Sequence, residues 1–86
     1  MATAKITVEL DRLDLRNADS DPVKGRYVDN LQGLLVGTRR AEFQSLAIDG
    51  IAGPKTKQAT GEFQQKNGLT KDYLVGPLTW EKLIEF

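Results

Sequence analysis

Apolar and polar residues alternate near the start of the chain. From Lys5 to Leu10 every second residue is apolar, and a period of two is typical of a β-strand. Leu13 and Leu15 continue the alternation with shifted parity, which a bulge or bend in the strand would absorb. The pattern therefore predicts an extended or β segment over residues 1–20.

From Val28 onward the apolar residues recur at helical spacing. Val28, Leu31 and Leu35 are spaced so that they share one face of a helix. Proline is favoured in the first turn of a helix, and each candidate helix opens on one. The predicted helices are Pro22–Gly37, Pro54–Asn67 and Pro77–Glu85. A later start of the first helix, near Gly25, stays open.

These helices predict a single helical domain over residues 21–86, preceded by the extended segment of residues 1–20. A chain of 86 residues has room for one domain. Its core is expected to combine the apolar helix faces with one apolar residue from each of two turns. The predicted core residues are Val28, Leu31, Leu35, Ile51, Phe63, Leu74, Trp80 and Leu83.

The second half of the chain contains an internal repeat with an offset of 23 residues. Each copy has an aspartate that opens a turn, an apolar residue, a Gly-Pro helix start and a threonine. The matched pairs are Asp49 and Asp72, Ile51 and Leu74, Gly53-Pro54 and Gly76-Pro77, and Thr56 and Thr79. An aspartate can accept a hydrogen bond from the backbone N–H two residues on, which tightens such a turn. The repeat is therefore interpreted as scaffold, with Ile51 and Leu74 pinning the turns to the core.

A second echo links Leu31-Gln32 with Phe63-Gln64, each late on its helix. Leu31 and Phe63 are expected to be core anchors. The glutamines are expected to satisfy backbone groups of the loops, because buried polar groups need hydrogen-bond partners. A role for the two glutamines in ligand binding is the alternative, and Gln32 is the candidate contact.

Composition narrows the classes of function. Twelve Lys and Arg balance twelve Asp and Glu, so the chain lacks the basic excess on which nucleic-acid affinity rests. No run approaches the roughly 20 apolar residues of a membrane span. Residues 1–10 contain no apolar stretch of signal-peptide length. We expect neither a nucleic-acid nor a membrane partner, and no signal peptide in this chain.

The chain has no Cys and no His. Thiol nucleophiles, Ser-His triads and zinc sites built on these residues are therefore excluded. Paired carboxylates can carry out acid–base catalysis, but Asp49 and Asp72 are explained by their turns. We expect a non-catalytic protein that uses no metal and no cofactor.

The order of these residues resembles the peptidoglycan-binding domain family, and the resemblance covers roughly Gly25 to Phe86. The matching residues are Gly25, Val28, Leu31-Gln32, Leu35, Asp49-Gly50, Gly53, Thr56, Ala59, Phe63-Gln64, Gly68-Leu69, Asp72, Val75-Gly76, Thr79-Trp80 and Leu83. Tyr73 stands where the family often has glycine. The resemblance implies an all-α, three-helix module that binds bacterial cell wall and anchors a larger protein or assembly there.

Wall binding implies a site that combines an aromatic face, fixed polar groups and arginine for a carboxylate. The candidate ligand-binding residues are Arg39, Arg40, Tyr73, Asp49 and Gln32. The expected partner is the glycan or the stem peptide of peptidoglycan, at the bacterial cell wall, outside the cell or on a phage particle.

The alternative is an assembly module of a phage or a secretion-like machine that keeps the fold without binding wall. The N-terminal strand favours this reading, because an uncovered strand edge can add to the sheet of a partner protein. Retention on wall sacculi, set against size in solution, distinguishes the two.

Overall fold

A computed structural model of the chain describes residues 12–25, 27–38 and 41–85. The part that it describes contains α-helices α1 (Val28–Gly37), α2 (Pro54–Lys66) and α3 (Pro77–Glu85). It also contains a 3₁₀ turn at Ala41–Phe43 and the two-residue strands β1 (Leu13–Asp14), β2 (Val23–Lys24), β3 (Ile51–Ala52) and β4 (Leu74–Val75). The predicted three helices are confirmed. The all-α expectation is too simple, because short antiparallel ladders connect them.

The second and third helices begin where their prolines indicate. Gly53 precedes α2 in an extended conformation, and Pro54 occupies the first helical turn. At the other end of α2, Asn67 caps the helix, and Gly68 has a φ of 74° that allows the chain to leave it. Asn67 and Gly68 thus end α2 and lead the chain into the next turn.

The first helix begins later than Pro22, so the predicted start at that residue is wrong. Val23–Lys24 forms β2, which pairs antiparallel with β3 in the register Val23 to Ala52 and Lys24 to Ile51. Because strand pairing requires extended backbone, the helix forms only after this segment, with Tyr27 as its N-cap. The start lies closer to the alternative at Gly25, whose carbonyl accepts a hydrogen bond from the Val28 N–H.

The start of the described chain packs onto the helical domain. β1 pairs antiparallel with β4, in the register Leu13 to Val75 and Asp14 to Leu74. Leu13, Leu15 and Ala18 are buried in the common core. The alternating strand predicted over Lys5–Leu10 lies outside the described residues.

One apolar cluster joins the helices. It contains Leu13, Leu15, Ala18, Val28, Leu31, Leu35, Phe43, Ala52, Ala59, Phe63, Val75, Trp80 and Leu83. Six of the predicted core residues belong to it, and the burial of Phe63 and Trp80 is confirmed. Ile51 and Leu74 are 44% and 36% exposed, so their prediction as core residues is wrong. In β3 and β4 the inward position is taken by the next residue, Ala52 or Val75, because side chains alternate along a strand.

Candidate functional site

A buried glutamine organises the first turn. The Gln32 amide nitrogen lies 3.1 Å from Asp49 Oδ1, 3.0 Å from the Ile51 carbonyl oxygen and 3.0 Å from Thr56 Oγ1. Its amide oxygen accepts hydrogen bonds from the backbone N–H groups of Asp49 and Gly50, at 3.1 and 3.0 Å. The expectation that this glutamine satisfies loop backbone groups is confirmed.

A second glutamine repeats the arrangement on the next helix. The Gln64 amide nitrogen donates to Asp72 Oδ1 at 3.1 Å, to the Leu74 carbonyl at 3.0 Å and to Thr79 Oγ1 at 3.2 Å. Its amide oxygen accepts the Tyr73 N–H at 3.1 Å. The sequence repeat is therefore also a repeat of hydrogen bonds.

The aspartates close their turns as predicted. Asp49 Oδ1 accepts the Ile51 N–H at 3.0 Å, and Asp72 Oδ1 accepts the Leu74 N–H at 3.0 Å. The hydrogen bond from the Ile51 backbone, followed by that from the Gln32 side chain, lowers the pKa of Asp49 below its usual value. The Asp49 carboxylate is thus held ionised and aimed at the backbone of its own turn.

Each turn carries one residue in the left-handed region. Gly50 has a φ of 75°, and Tyr73, at the matching position, has a φ of 60°. Among the described residues, Tyr73 is the one non-glycine residue with a positive φ. For a residue with a Cβ this conformation costs roughly 1–2 kcal/mol, so contacts elsewhere must offset it.

The Tyr73 ring makes such contacts. It lies over Gly61 of α2, where a Cβ atom would collide with the ring. Lys57 Nζ lies 5.0 Å from the ring centroid, a cation–π distance, and also contacts Asp19 Oδ2 at 2.8 Å. The Tyr73 carbonyl accepts the Leu15 N–H at 2.9 Å. Tyr73 therefore ties the N-terminal segment to α2.

The described residues form an open cleft beside each turn. The first cleft has a volume of about 420 Å³ and the second about 480 Å³. The first is lined by Gln32, Leu46, Ala47, Asp49, Ile51, Gly53, Pro54, Lys55 and Thr56. The second is lined by Arg12, Leu13, Asp14, Leu69, Thr70, Asp72, Leu74, Gly76, Pro77, Leu78 and Thr79. The exposed side chains of Ile51 and Leu74 thus contribute to clefts and not to the core.

The carboxylate of Asp14, at the edge of the second cleft, is paired locally. Arg16 Nη2 and Nε lie 2.7 and 2.9 Å from its two oxygens, and the Arg16 N–H donates to Oδ1 at 3.1 Å. The side-chain hydrogen bonds from Arg16 are the largest influence on this carboxyl group and lower the pKa of Asp14 to about 2. Asp14 is therefore ionised and already bound to a cation at neutral pH.

Of the residues predicted as ligand contacts, Gln32 and Asp49 are brought together at the first cleft, 3.1 Å apart. Tyr73 belongs to the other turn and is not among the residues that line the two clefts. Arg39 and Arg40 lie outside the described residues, so their role stays a prediction.

Sequence reasoning missed several cleft residues. They are Leu46, Ala47, Lys55, Leu69, Thr70, Leu78 and Arg12. All of these except Arg12 follow the 23-residue offset. The repeat can be extended to three positions before Asp49, and it includes the residue after each proline. A comparison of the two copies over this longer range would have identified them. Arg12 reaches the second cleft through the pairing of β1 with β4, a contact that no local pattern indicates.

The described residues form a small three-helix module with two matching turns. The chain belongs to the peptidoglycan-binding domain family, since residues 24–83 match the family model described as "Putative peptidoglycan binding domain". Peptidoglycan binding and association with the cell wall are the properties of this family of binding modules. No solved structure shows significant similarity to the chain.

Two curated relatives are longer proteins. The zinc D-Ala-D-Ala carboxypeptidase of Streptomyces albus G is 35% identical over 88 residues, which cover 98% of this chain and 34% of the carboxypeptidase. An uncharacterized protein in the bpoA1 3′ region of Kitasatospora aureofaciens is 56% identical over 36 residues, which cover 42% of this chain and 30% of that protein. The chain thus spans about a third of each relative.

Two further properties bear on the site. Within residues 12–25, 27–38 and 41–85, no group of three or more acidic, His or Cys residues is placed to hold a metal ion. In the same ranges no helix has the length and apolar character needed to cross a bilayer.

Proposed function

We propose that this chain is a non-catalytic module that binds bacterial peptidoglycan through the two clefts and holds a larger protein or assembly at the wall. The observation that carries the proposal is the exposure of Ile51 and Leu74 at matching positions of a peptidoglycan-binding domain. Each belongs to a strand whose neighbouring residue completes the core. The fold therefore presents an aliphatic side chain to solvent twice, in the same setting.

Rigid support favours these clefts as binding surfaces. Gln32 and Gln64 fix the backbone of both turns from the protein interior, where each is 1% exposed. A preorganised surface loses little conformational entropy on binding. Asp49 lies at the wall of the first cleft, and Arg39 and Arg40 are proposed as further contacts on the basis of sequence.

The absence of catalysis is proposed from the roles of the turn carboxylates. Asp49 and Asp72 are each engaged by a glutamine amide and by a backbone N–H. Carboxylates whose oxygens accept these hydrogen bonds hold the turns and do not transfer protons to a ligand. The zinc carboxypeptidase is three times as long as the matched region, and we propose that its likeness to this chain reflects a wall-binding part.

Binding at one shallow cleft is expected to be weak, with a dissociation constant on the order of micromolar to millimolar, since affinity depends on buried hot spots and not on area alone. Tethering to a larger protein compensates for this, because a linked second contact acts at a high effective concentration. We propose a location at the bacterial wall, outside the cell or on a phage particle.

The test is retention on purified peptidoglycan sacculi, with serum albumin as the negative control. We expect the chain to sediment with sacculi and to be released by an excess of soluble muropeptides. A chain that stays in the supernatant at every sacculus concentration, while folded by circular dichroism, would contradict wall binding and favour the assembly function.

A further inference from the structure

The two clefts are built from matching positions. Eight positions of the first cleft, from Leu46 to Thr56, recur 23 residues later in the second, from Leu69 to Thr79. Each turn strand also pairs with a strand from earlier in the chain, because Lys24 pairs with Ile51 as Asp14 pairs with Leu74. The sequence repeat therefore produces two similar cleft linings as well as two similar hydrogen-bonded turns.

A cationic side chain borders both clefts, although it comes from different parts of the chain. In the first cleft it is Lys55, the residue that follows the helix-opening proline. The matching residue in the second cleft is Leu78, and here Arg12 beside β1 supplies the positive charge. Each cleft also contains a carboxylate, Asp49 or Asp72, which accepts a backbone hydrogen bond of its own turn, and Asp14 is bound to Arg16.

The lining of the clefts indicates the chemistry of their ligand. Among the described residues that line them, none is aromatic, and the apolar members are Leu, Ile, Ala and Pro. Such walls fit small alkyl groups better than the broad face of a sugar ring. A neighbouring Lys or Arg fits a carboxylate. Alanine-bearing stem peptides, with methyl side chains and carboxylates, combine these two features.

We infer that the module has two equivalent ligand positions, one at each turn, and that both take the stem peptide of peptidoglycan and not its glycan. This inference rests on the proposed function and adds its ligand and stoichiometry. Two positions on one rigid domain allow it to hold two stem peptides of the same wall. Retention on the polymer then exceeds what either position gives alone.

The test is a ¹⁵N NMR titration of the chain with a free alanine-containing stem tetrapeptide, and separately with the peptide-free disaccharide. We expect the tetrapeptide to shift the amides of both clefts, reported by Ile51 and Lys55 for the first and Leu74 and Leu78 for the second. The disaccharide is expected to shift neither set.

Exposed charge variants assign each position. Lys55→Gln should weaken binding about fivefold at the first cleft alone, and Arg12→Gln about fivefold at the second alone, the scale of one exposed charge pair. Lys82→Gln on α3 is the matched control, since it removes one exposed positive charge away from both clefts and should change neither affinity.

The outcomes separate the inference from the proposed function. Shifts confined to one cleft, or a stronger response to the disaccharide than to the tetrapeptide, would overturn the inference while leaving sacculus binding intact. Equal weakening of both clefts by Lys82→Gln would also overturn it, since the charge effect would then be nonspecific. Failure of the unmodified chain to bind sacculi would instead overturn the proposed function.

Discussion

The two turns of this domain reach the same geometry from different chain lengths. Gln32 and Asp49 are 17 residues apart, whereas Gln64 and Asp72 are 8 residues apart. Both glutamines nevertheless bind an aspartate, a strand carbonyl and a threonine. The comparison teaches that a buried amide determines the turn, and that the intervening loop is free to vary in length.

The turns differ in how they accommodate a left-handed residue. The first uses Gly50, which adopts a positive φ without steric cost. The second uses Tyr73, whose ring packs over Gly61 and near Lys57. In the second turn, the side-chain contacts of Tyr73 offset its strained backbone and tie the N-terminal segment to α2. Gly50 of the first turn has no side chain that could make such contacts.

The largest expected effect concerns the core anchors beside the glutamines. Phe63→Ala should lower the free energy of unfolding by roughly 3–5 kcal/mol, because it opens a cavity in the core. Leu31→Ala, its counterpart next to Gln32, should cost roughly 2–5 kcal/mol and less than Phe63→Ala. Urea denaturation measures both. A Phe63→Ala protein that melts within a few degrees of the unmodified chain would contradict the core assignment.

Replacing each glutamine by leucine tests whether the turns depend on the amides. Gln32→Leu and Gln64→Leu should each cost about 1–3 kcal/mol, the penalty for leaving buried polar partners unsatisfied. The loss should be larger at Gln32, whose oxygen accepts two backbone N–H groups. Hydrogen exchange at Gly50 and Tyr73 should accelerate only in the turn that was changed. Equal acceleration of both would mean that the turns are not independent.

A double-mutant cycle tests the contact between the Tyr73 ring and Gly61. Alanine in place of a helical glycine normally stabilises by about 1 kcal/mol, but at Gly61 the new methyl group collides with the Tyr73 ring. Gly61→Ala should therefore destabilise the unmodified chain and stabilise a Tyr73→Gly background. The expected coupling is about 1–2 kcal/mol. Additive effects of the two changes would show that the ring does not press on α2.

The smallest expected effect is a pH dependence of the first turn. Folding lowers the pKa of Asp49, so its stabilising contribution is present above the unfolded value of about 4 and is lost as pH falls through the folded value. The stability difference between the unmodified chain and Asp49→Asn should therefore shrink as pH falls below about 5. Thermal melts across this range measure it. A difference that stays constant would contradict the role of the carboxylate.

Local features of this fold could be predicted, and pairings between distant segments could not. The bonds of Asp49 and Asp72 to the N–H two residues on follow from the turn sequence itself. The start at Pro22 was wrong because β2 is fixed by β3, far along the chain. For the same reason the exposure of Ile51 was not foreseen, since a two-residue strand is too short to show its alternation.

The role of the five candidate ligand contacts stays a prediction. Two of them, Gln32 and Asp49, could be singled out from the sequence because each recurs in an internal echo, and they meet at the first cleft. Lys55 and Leu78 were missed because they differ between the copies, and a search for repeats favours identical residues. Arg12 depends on the packing of β1, which the repeat does not contain.

The central claim is that peptidoglycan binds at the clefts, and a matched pair of double variants tests it on sacculi. Ile51→Asp/Leu74→Asp changes one exposed apolar residue in each cleft, whereas Ile48→Asp/Ile84→Asp makes the same chemical change at two exposed residues that line neither. With folding checked by thermal melts, we predict that the cleft variant is lost from the sacculus pellet and that the control is retained like the unmodified chain. Equal retention of both variants would contradict the claim.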